Sequence, residues 1–397
     1  MREQIRPANR AAPYPTNSGA STRPCILCGK CLDVCPLFAA TGREELSPRG
    51  KSFLIRQALE EGNLHDPAAA SKLLGLCLGC GRCADGCPQG RNLPELLREE
   101  KAGHPGWQAW VWRTWITQAK SLWPLVGRCA GLLPEQLGAG MMDAPRALVR
   151  RPSRERTSGG FERVADEAVL PGNAVLFPGC TARFARPWWV ESAVRMLGAA
   201  DDRLKGFPDW QCCGFTVAQA GLPGLNDEMR SQNVVLWRER GRPALLTICA
   251  TCTTALHDYT KSKDLFQDDR ERLAWEAAVQ PLSGLVDPQD FRAGGDGTVL
   301  YHRPCHAPNP DPDAAFLRGV FATRLIAEAE NACCGMGGVM RLSAPGLSSQ
   351  VADRYWSLAP EQSELTVSTG CSGCAIQLAA TAPQGVEVAH WLELFEG

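Results

Sequence analysis

Cysteine is the residue type in this sequence that is best placed to do chemistry, because 18 of its 19 thiols are arranged in regular clusters. Ten of them form two matching sets of five. The sets are Cys180, Cys212, Cys213, Cys249 and Cys252, then Cys305, Cys333, Cys334, Cys371 and Cys374. Corresponding cysteines are 121 to 125 positions apart, as from 180 to 305 and from 212 to 333. Clustered thiolates bind metal ions and iron–sulfur clusters, so the sequence predicts two repeated metal sites.

Eight further cysteines near the N-terminus form two runs with the spacing C-x2-C-x2-C-x3-C-P. They are Cys25, Cys28, Cys31 and Cys35, then Cys77, Cys80, Cys83 and Cys87. In bacterial ferredoxins with this spacing, the fourth cysteine of each run binds the cluster of the other run. The sequence therefore predicts two cubane [4Fe–4S] clusters. The first is expected on Cys25, Cys28, Cys31 and Cys87, and the second on Cys77, Cys80, Cys83 and Cys35. Zinc fits these runs poorly, since zinc sites pair two C-x2-C knuckles.

Length and composition indicate an ordinary soluble protein of two or three domains. The chain has 397 residues, of which 44% are hydrophobic and 21% are charged, as in typical globular proteins. Its net charge of −1 gives no reason to expect nucleic acid as a partner.

The compartment decides whether cysteines form disulfides or bind metal. The N-terminal segment lacks the apolar region of a secretory signal, and no apolar run reaches the length of about 18 residues that spans a membrane. An odd number of cysteines in tight clusters also fits disulfides poorly. We expect a cytoplasmic metalloprotein, with peripheral attachment to the inner face of the cell membrane compatible with that location.

Short apolar runs precede four of the clustered cysteines and predict strands. These are Ala174–Phe177, Ala244–Ile248, Thr298–Tyr301 and Leu365–Ser368. Helices are predicted between them, including Pro187–Leu197, Asn226–Arg240 and Pro312–Ala329. Strands alternating with helices form parallel sheets, which bind ligands at the carboxyl ends of their strands. The predicted class is α/β overall, with a mainly helical two-cluster ferredoxin domain followed by two small α/β domains related by an internal repeat.

The expected organisation has five parts. They are an extended N-terminal segment (1–22), a two-cluster domain (23–105), a Trp-rich helix and linker (106–172), and two cysteine-rich domains (173–295 and 296–397).

The Trp-rich segment carries five tryptophans, Trp107, Trp110, Trp112, Trp115 and Trp123, together with basic residues. Such indoles either pack against the domains or a partner subunit or lie at a membrane interface, and we favour packing. Cys129 lies outside every motif and is expected to be buried. Residues 134–172 are expected to form a loose basic linker.

The repeated five-cysteine motif resembles the cysteine-rich CCG signature of heterodisulfide reductases, in which a C-C-G triplet lies between a single cysteine and a closing C-x-x-C. The first copy matches this signature closely, and the second has the same order with a shorter first spacing. The resemblance implies that each set of five holds a noncubane [4Fe–4S] cluster. One or two such clusters are expected, and zinc is the alternative for one site.

The order of the whole chain resembles the iron–sulfur subunits of glycolate oxidase and D-lactate dehydrogenases. The segments Ser47–Lys51 and His390–Phe395 support this group. The catalytic subunit of membrane-linked heterodisulfide reductase has the same order, and the presence of both Cys249 and Cys371 resembles that branch.

The resemblance implies an iron–sulfur electron-transfer subunit of a 2-hydroxy-acid dehydrogenase, with glycolate or D-lactate as substrate. Electrons would pass from a separate FAD-containing subunit toward quinone or a membrane carrier such as a cytochrome b. No G-x-G-x-x-G follows a predicted strand, so the flavin is expected on another chain. The alternative is a reductase that cleaves a disulfide at a noncubane cluster, and the catalytic residues remain open.

Three histidines, His257, His302 and His306, lie near clustered cysteines. We interpret them as surface or hydrogen-bonding residues. His306, directly after Cys305, is the best candidate for tuning the potential of a cluster.

Overall fold

The structure is a computed structural model of the chain. It describes residues 24–57, 66–103, 107–132, 143–152, 160–164, 173–198, 204, 209–362 and 365–395. The predicted extended segment 1–22 lies outside the described residues.

The N-terminal region is helical, as predicted. Its helices are α1 (Pro36–Thr41), α2 (Pro48–Ile55), α3 (Pro67–Leu74), α4 (Arg82–Asp85) and α5 (Leu93–Gly103). Proline begins α1, α2 and α3, where the missing N–H has no helical partner. The Ser47 hydroxyl accepts a hydrogen bond from the Gly50 N–H at 3.0 Å and so caps α2. These short helices bring the two cysteine runs together.

The Trp-rich segment and part of the expected linker are also ordered elements. They form α6 (Trp107–Thr117), α7 (Ala119–Leu132), α8 (Asp143–Val149) and strand β1 (Phe161–Arg163). The loose-linker prediction is therefore wrong for α8 and β1, because α8 packs against α7 and β1 pairs with a later strand. The prediction for Cys129 is also wrong, since this side chain is exposed on α7.

The first α/β unit contains a parallel sheet with the order β2-β3-β4. Its strands are β2 (Ala174–Phe177), β3 (Ala244–Thr247) and β4 (Val279–Pro281). Its helices are α9 (Gly179–Phe184), α10 (Trp188–Met196), α11 (Phe215–Gln219), α12 (Pro223–Glu239), α13 (Ala250–His257) and α14 (Asp269–Ala278). The predicted strands β2 and β3 are confirmed, whereas β4 lacked a distinct apolar run.

A buried ion pair joins two helices of this unit. The Glu271 carboxylate of α14 accepts hydrogen bonds from Arg238 of α12 at 2.7 and 2.9 Å and from Arg242 at 2.9 Å. These bonds, led by that from Arg238, lower the pKa of Glu271 to about 2.

Strand β5 (Phe291–Ala293) pairs antiparallel with β1 before the second unit begins. The second unit is a four-stranded parallel sheet with the order β7-β6-β8-β9. Its strands are β6 (Thr298–His302), β7 (Leu325–Ala327), β8 (Leu365–Thr369) and β9 (Glu387–His390). Its helices are α15 (Pro312–Phe321), α16 (Met340–Ser343), α17 (Pro345–Leu358) and α18 (Ser372–Thr381).

The prediction that Pro312–Ala329 is largely helical is confirmed for α15 and for the 3₁₀ turn Ala322–Arg324, and is wrong for Leu325–Ala327, which form β7. The helix stops where Ala322 has a φ of +50°, and the apolar residues that follow pair with β6 as strand β7. Tertiary pairing thus overrides the helical pattern.

The two sheets share their hydrophobic cores. Leu176 and Leu246 of the first sheet pack in one cluster with Val299 and Ala389 of the second. The C-terminus is tied to the first unit by Arg186, whose guanidinium lies 3.0 Å from the carboxylate of Glu393. This packing places the carboxyl ends of both sets of strands near each other.

Candidate metal centres

The two ferredoxin-like runs surround two neighbouring hollows. Cys25, Cys28, Cys31 and Cys87 line the first hollow, and Cys35, Cys77, Cys80 and Cys83 line the second. Cys83 also borders the first. The structure thus brings together each predicted set of four, including the fourth cysteine contributed by the other run. Four thiolates around one space match the donor set of a cubane [4Fe–4S] cluster, and their ligand roles remain predictions.

A buried lysine lies beside the second hollow. The Lys51 ammonium, on α2, donates hydrogen bonds to the carbonyls of Leu46 and Leu76. Burial lowers its pKa, whereas the sulfurs of Cys77 and Cys35 favour its charged form. A cation here offsets the negative charge of thiolates that bind metal.

The first set of five cysteines is contiguous. Cys180 follows β2 and lies in α9. Cys249 lies two residues after the end of β3 and immediately precedes α13, and Cys252 lies in the first turn of α13. Sulfur atoms interact in the order Cys180, Cys212, Cys213, Cys252, Cys249. The interaction with Cys212 and burial together raise the pKa of Cys180. The prediction that these cysteines gather at the carboxyl ends of strands is confirmed.

The second set repeats the arrangement except at its first cysteine: Cys305 contacts a histidine, whereas Cys180 of the first set interacts with Cys212. The Cys334 and Cys374 sulfurs are 3.2 Å apart. Cys333 interacts with Cys334, and Cys371 interacts with Cys374. Cys305 lies 3.4 Å from His306 Nδ1, and although burial opposes it, the imidazole lowers the pKa of this thiol.

Histidine and glutamate side chains surround the second set. His302, at the end of β6, is 1% exposed. Its Nδ1 lies 2.5 Å from Glu328 Oε2. One donor atom of His302 and the sulfurs of Cys334 and Cys374 all lie within 4.8 Å of one another. The interpretation of His302 as a surface or hydrogen-bonding residue is confirmed as hydrogen bonding, since its buried ring contacts Glu328.

The two cysteine-rich sites touch each other. Cys249 and Cys371 interact directly. Each also contacts a hydroxyl across the interface, since Cys249 lies 3.4 Å from Ser372 Oγ and Cys371 lies 3.1 Å from Thr251 Oγ1. The two sites form one continuous group of ten cysteines, seven of which are buried.

The second site also adjoins the ferredoxin-like region. Arg82, between Cys80 and Cys83, donates hydrogen bonds of 2.6 Å to the carbonyls of Asn331 and Ala332. His306 Nε2 lies 3.2 Å from the Gly79 carbonyl. Burial raises the pKa of Cys80 to about 12, and the neighbouring sulfur of Cys305 contributes to this shift. The sulfurs of the second hollow therefore lie next to those of the second cysteine-rich site.

The glycine of each C-C-G triplet is required by the backbone. Gly214 has a φ of +88° and Gly335 a φ of +83°, which side chains rarely allow. A Cβ on Gly214 would lie 2.1 Å from Asn226 Oδ1, and one on Gly335 would lie 2.5 Å from the Ser348 carbonyl. The turn after each doublet thus allows a following helix to approach the cysteines.

Sequence reasoning missed Arg82, Lys51 and Glu328. Arg82 and Lys51 are single basic residues whose sequence neighbours give no sign of a long-range contact. The predicted helix includes Glu328, whereas this residue directly follows β7. A correct strand prediction would have placed it beside His302.

Comparison with known families agrees with this geometry. Residues 21–91 match the 4Fe-4S dicluster domain, and residues 174–257 and 299–379 each match the Cysteine-rich domain known as CCG. The chain contains one dicluster domain and two CCG domains. We refer to the latter as the first and second CCG domains.

Individual relatives share the order of the whole chain. The glycolate oxidase iron-sulfur subunit of Escherichia coli K12 is 24% identical over all of this chain and 98% of its own length. One component of the dihydromethanophenazine:CoB–CoM heterodisulfide reductase of Methanosarcina acetivorans is 25% identical, covering 88% of this chain and 86% of the relative. The probable glycolate oxidase iron-sulfur subunit of Bacillus subtilis is 24% identical, covering 89% and 87%. No solved structure matches this chain. The predicted resemblance to both groups is confirmed.

Proposed function

We propose that this chain is the iron–sulfur electron-transfer subunit of a flavin-dependent 2-hydroxy-acid dehydrogenase. Glycolate or D-lactate would be the substrate of a separate FAD subunit, and quinone or a membrane carrier would be the acceptor. Iron–sulfur clusters, when bound, accept and donate single electrons. The observation that supports this role best is the unbroken series of cysteine sites from the dicluster domain to both CCG domains.

The contacts give the sites an order that differs from their order in the sequence. The second hollow of the dicluster domain adjoins the second CCG site through Cys80 and Cys305. The second CCG site then adjoins the first through Cys371 and Cys249. The first CCG site is therefore at the far end of the series.

The opposite end of the series is open to solvent. In the first hollow Cys28 is exposed, and the neighbouring Ile26 is 58% exposed. Apolar side chains at the rim of a redox site suit transient contact with a partner protein. We infer that this rim is where the FAD-containing partner binds.

The Trp-rich helices suit contact with a membrane surface near the far end. Trp107 and Trp110 on α6 are 70% and 69% exposed, so these two indoles do not pack against the rest of this chain, and their packing against a partner subunit stays a prediction. The sequence 107–132 contains three basic residues and no acidic one, a composition that anionic lipid attracts. The buried face of α6 and α7 packs in one cluster with Cys180 and Cys212. No helix of the described residues is long and apolar enough to cross a bilayer.

A disulfide reductase is the second candidate, because both CCG domains keep all five cysteines. Burial argues against it. Cys213, Cys249, Cys252, Cys333, Cys334, Cys371 and Cys374 are all buried. A bulky disulfide would have to reach sulfurs that the two units cover, whereas electrons need no such access.

Anaerobic reconstitution tests the proposal in two steps. About sixteen irons per chain are expected if both CCG sites bind [4Fe–4S] clusters, and about eight if the dicluster domain alone is filled. The reconstituted chain is then given photoreduced flavin mononucleotide as donor, with either a water-soluble quinone analogue or a thiol disulfide as acceptor. We expect the quinone to be reduced at the faster rate. Stoichiometric conversion of the disulfide into two thiols, with two electrons and two protons consumed, would favour the reductase.

A further inference from the structure

The second CCG site has a donor that the first does not repeat. His302 ends β6 three residues before Cys305. At the corresponding place, three residues before Cys180, the first unit has Phe177, which ends β2. His257 is the only histidine in residues 173–295, and it is half-buried at the end of α13.

The His302 ring is held in one orientation by its neighbours. Glu328 binds Nδ1 at 2.5 Å and also accepts a hydrogen bond from the Arg303 N–H at 3.1 Å. The Tyr355 ring lies edge-on to the imidazole with 5.1 Å between ring centres. Since Nδ1 is engaged by the carboxylate, Nε2 is the nitrogen left for the sulfurs. Histidines that bind metals are typically held in this way, with the second nitrogen on a carboxylate.

We propose that His302 is a nitrogen ligand of the metal centre in the second CCG domain, alongside Cys334 and Cys374. The three donor atoms lie within 4.8 Å of one another. They are therefore close enough for one metal ion, about 2.0–2.3 Å from each, to be coordinated by all three. Nitrogen and sulfur together suit iron or zinc. The second centre therefore has a mixed donor set of nitrogen and sulfur.

Glu328 is the positioning residue in this arrangement. It fixes the ring through Nδ1 and makes Nε2 a better donor. Metal binding through Nε2 displaces any proton there, so binding releases protons to solvent. The inference rests on the proposed role of the second five cysteines as ligands.

The test compares the full-length chain with His302→Ala, Glu328→Gln and the control His257→Ala, all reconstituted anaerobically with iron or with zinc. The readouts are metal content, competition with a chelator and spectroscopic detection of bound nitrogen. For iron the last is hyperfine coupling to ¹⁵N-labelled histidine in a paramagnetic state, and for zinc it is X-ray absorption. We expect His302→Ala to lose the nitrogen contribution while the dicluster iron remains. Glu328→Gln should keep that contribution with about 10–100-fold weaker metal binding.

Two results would overturn the inference, and they can be told apart. A second CCG domain that binds metal with no nitrogen contribution, and whose spectrum is the same in His302→Ala, would refute the ligand role and leave the proposed function standing. A domain that binds no metal in any of the four proteins would refute both. His257→Ala should behave as the unsubstituted chain, since His257 is in the other domain.

Discussion

Arg82→Ala should weaken the contact between the dicluster domain and the second CCG domain. The guanidinium donates two hydrogen bonds of 2.6 Å, to the carbonyls of Asn331 and Ala332 just before Cys333. A hydrogen bond from a charged donor contributes about 1.5–3 kcal/mol. Because one of the two bonds is exposed, we expect the two together to stabilise the contact between the domains by about 3 kcal/mol. The first run provides a matched control, since Lys30 occupies the same place between its cysteines and is exposed.

Hydrogen exchange of residues 331–335, followed by mass spectrometry, measures this contact. A loss of about 3 kcal/mol corresponds to about 100-fold faster exchange of this loop in Arg82→Ala. Lys30→Ala should leave the exchange unchanged, and Arg82→Lys should restore it in part, because an ammonium cannot donate in two fixed directions. Equal exchange in Arg82→Ala and Lys30→Ala would refute the idea that this arginine joins the two domains. Iron content of the dicluster domain should be the same in all three variants.

Three further predictions concern stability and membrane contact. A Cβ on Gly127 would lie 2.2 Å from a side chain of α8, whereas one on Gly131 meets nothing within 4 Å. Gly127→Ala should therefore lower the free energy of unfolding by about 1–3 kcal/mol in chemical denaturation. Gly131→Ala should leave it unchanged or raise it by up to about 1 kcal/mol. The folded pKa of Glu271 is about 2 against an ordinary 4.5, so the folded state binds fewer protons and stability falls as the pH drops from about 5 toward 2. Glu271→Gln should cost up to about 3 kcal/mol at pH 7 and lack that acid-dependent loss in urea unfolding measured at several pH values. Trp107→Ser with Trp110→Ser should abolish sedimentation with anionic vesicles while leaving electron transfer to a soluble quinone intact; vesicle binding equal to that of the unsubstituted chain would contradict a membrane role for α6.

The cysteine pattern allows the grouping of residues to be predicted, because iron–sulfur spacing is fixed by the geometry of the cluster. The pattern assigns Cys87 to the first set although 56 positions separate it from Cys31, and both line the same hollow. The strand ends are predictable for a similar reason. A buried apolar run followed by cysteine, as at Ala174–Phe177, has few other interpretations in a chain of this class.

Contacts between the domains are not predictable, since they depend on single residues without local pattern. Nothing near Arg82 distinguishes it from Lys30, yet one joins two domains and the other is exposed. The Trp-rich helices show the same limit. Periodicity places Trp107 and Trp110 on one face, but the face that packs is decided by the partners available, and α7 buries Trp123 instead.

The asymmetry of the two CCG sites follows from the sheets. The cysteines repeat closely, but the described part of the first sheet has three strands and the second sheet has four. The additional edge strand is β7, and Glu328 follows it directly beside the end of β6. Because this carboxylate holds His302 against Cys334, one extra strand is enough to give two sites of the same cysteine pattern different donors. Cluster potentials depend on charge and hydrogen bonds around the sulfurs. We therefore expect metal centres at the two sites to differ in potential, with the fourth strand as the structural cause.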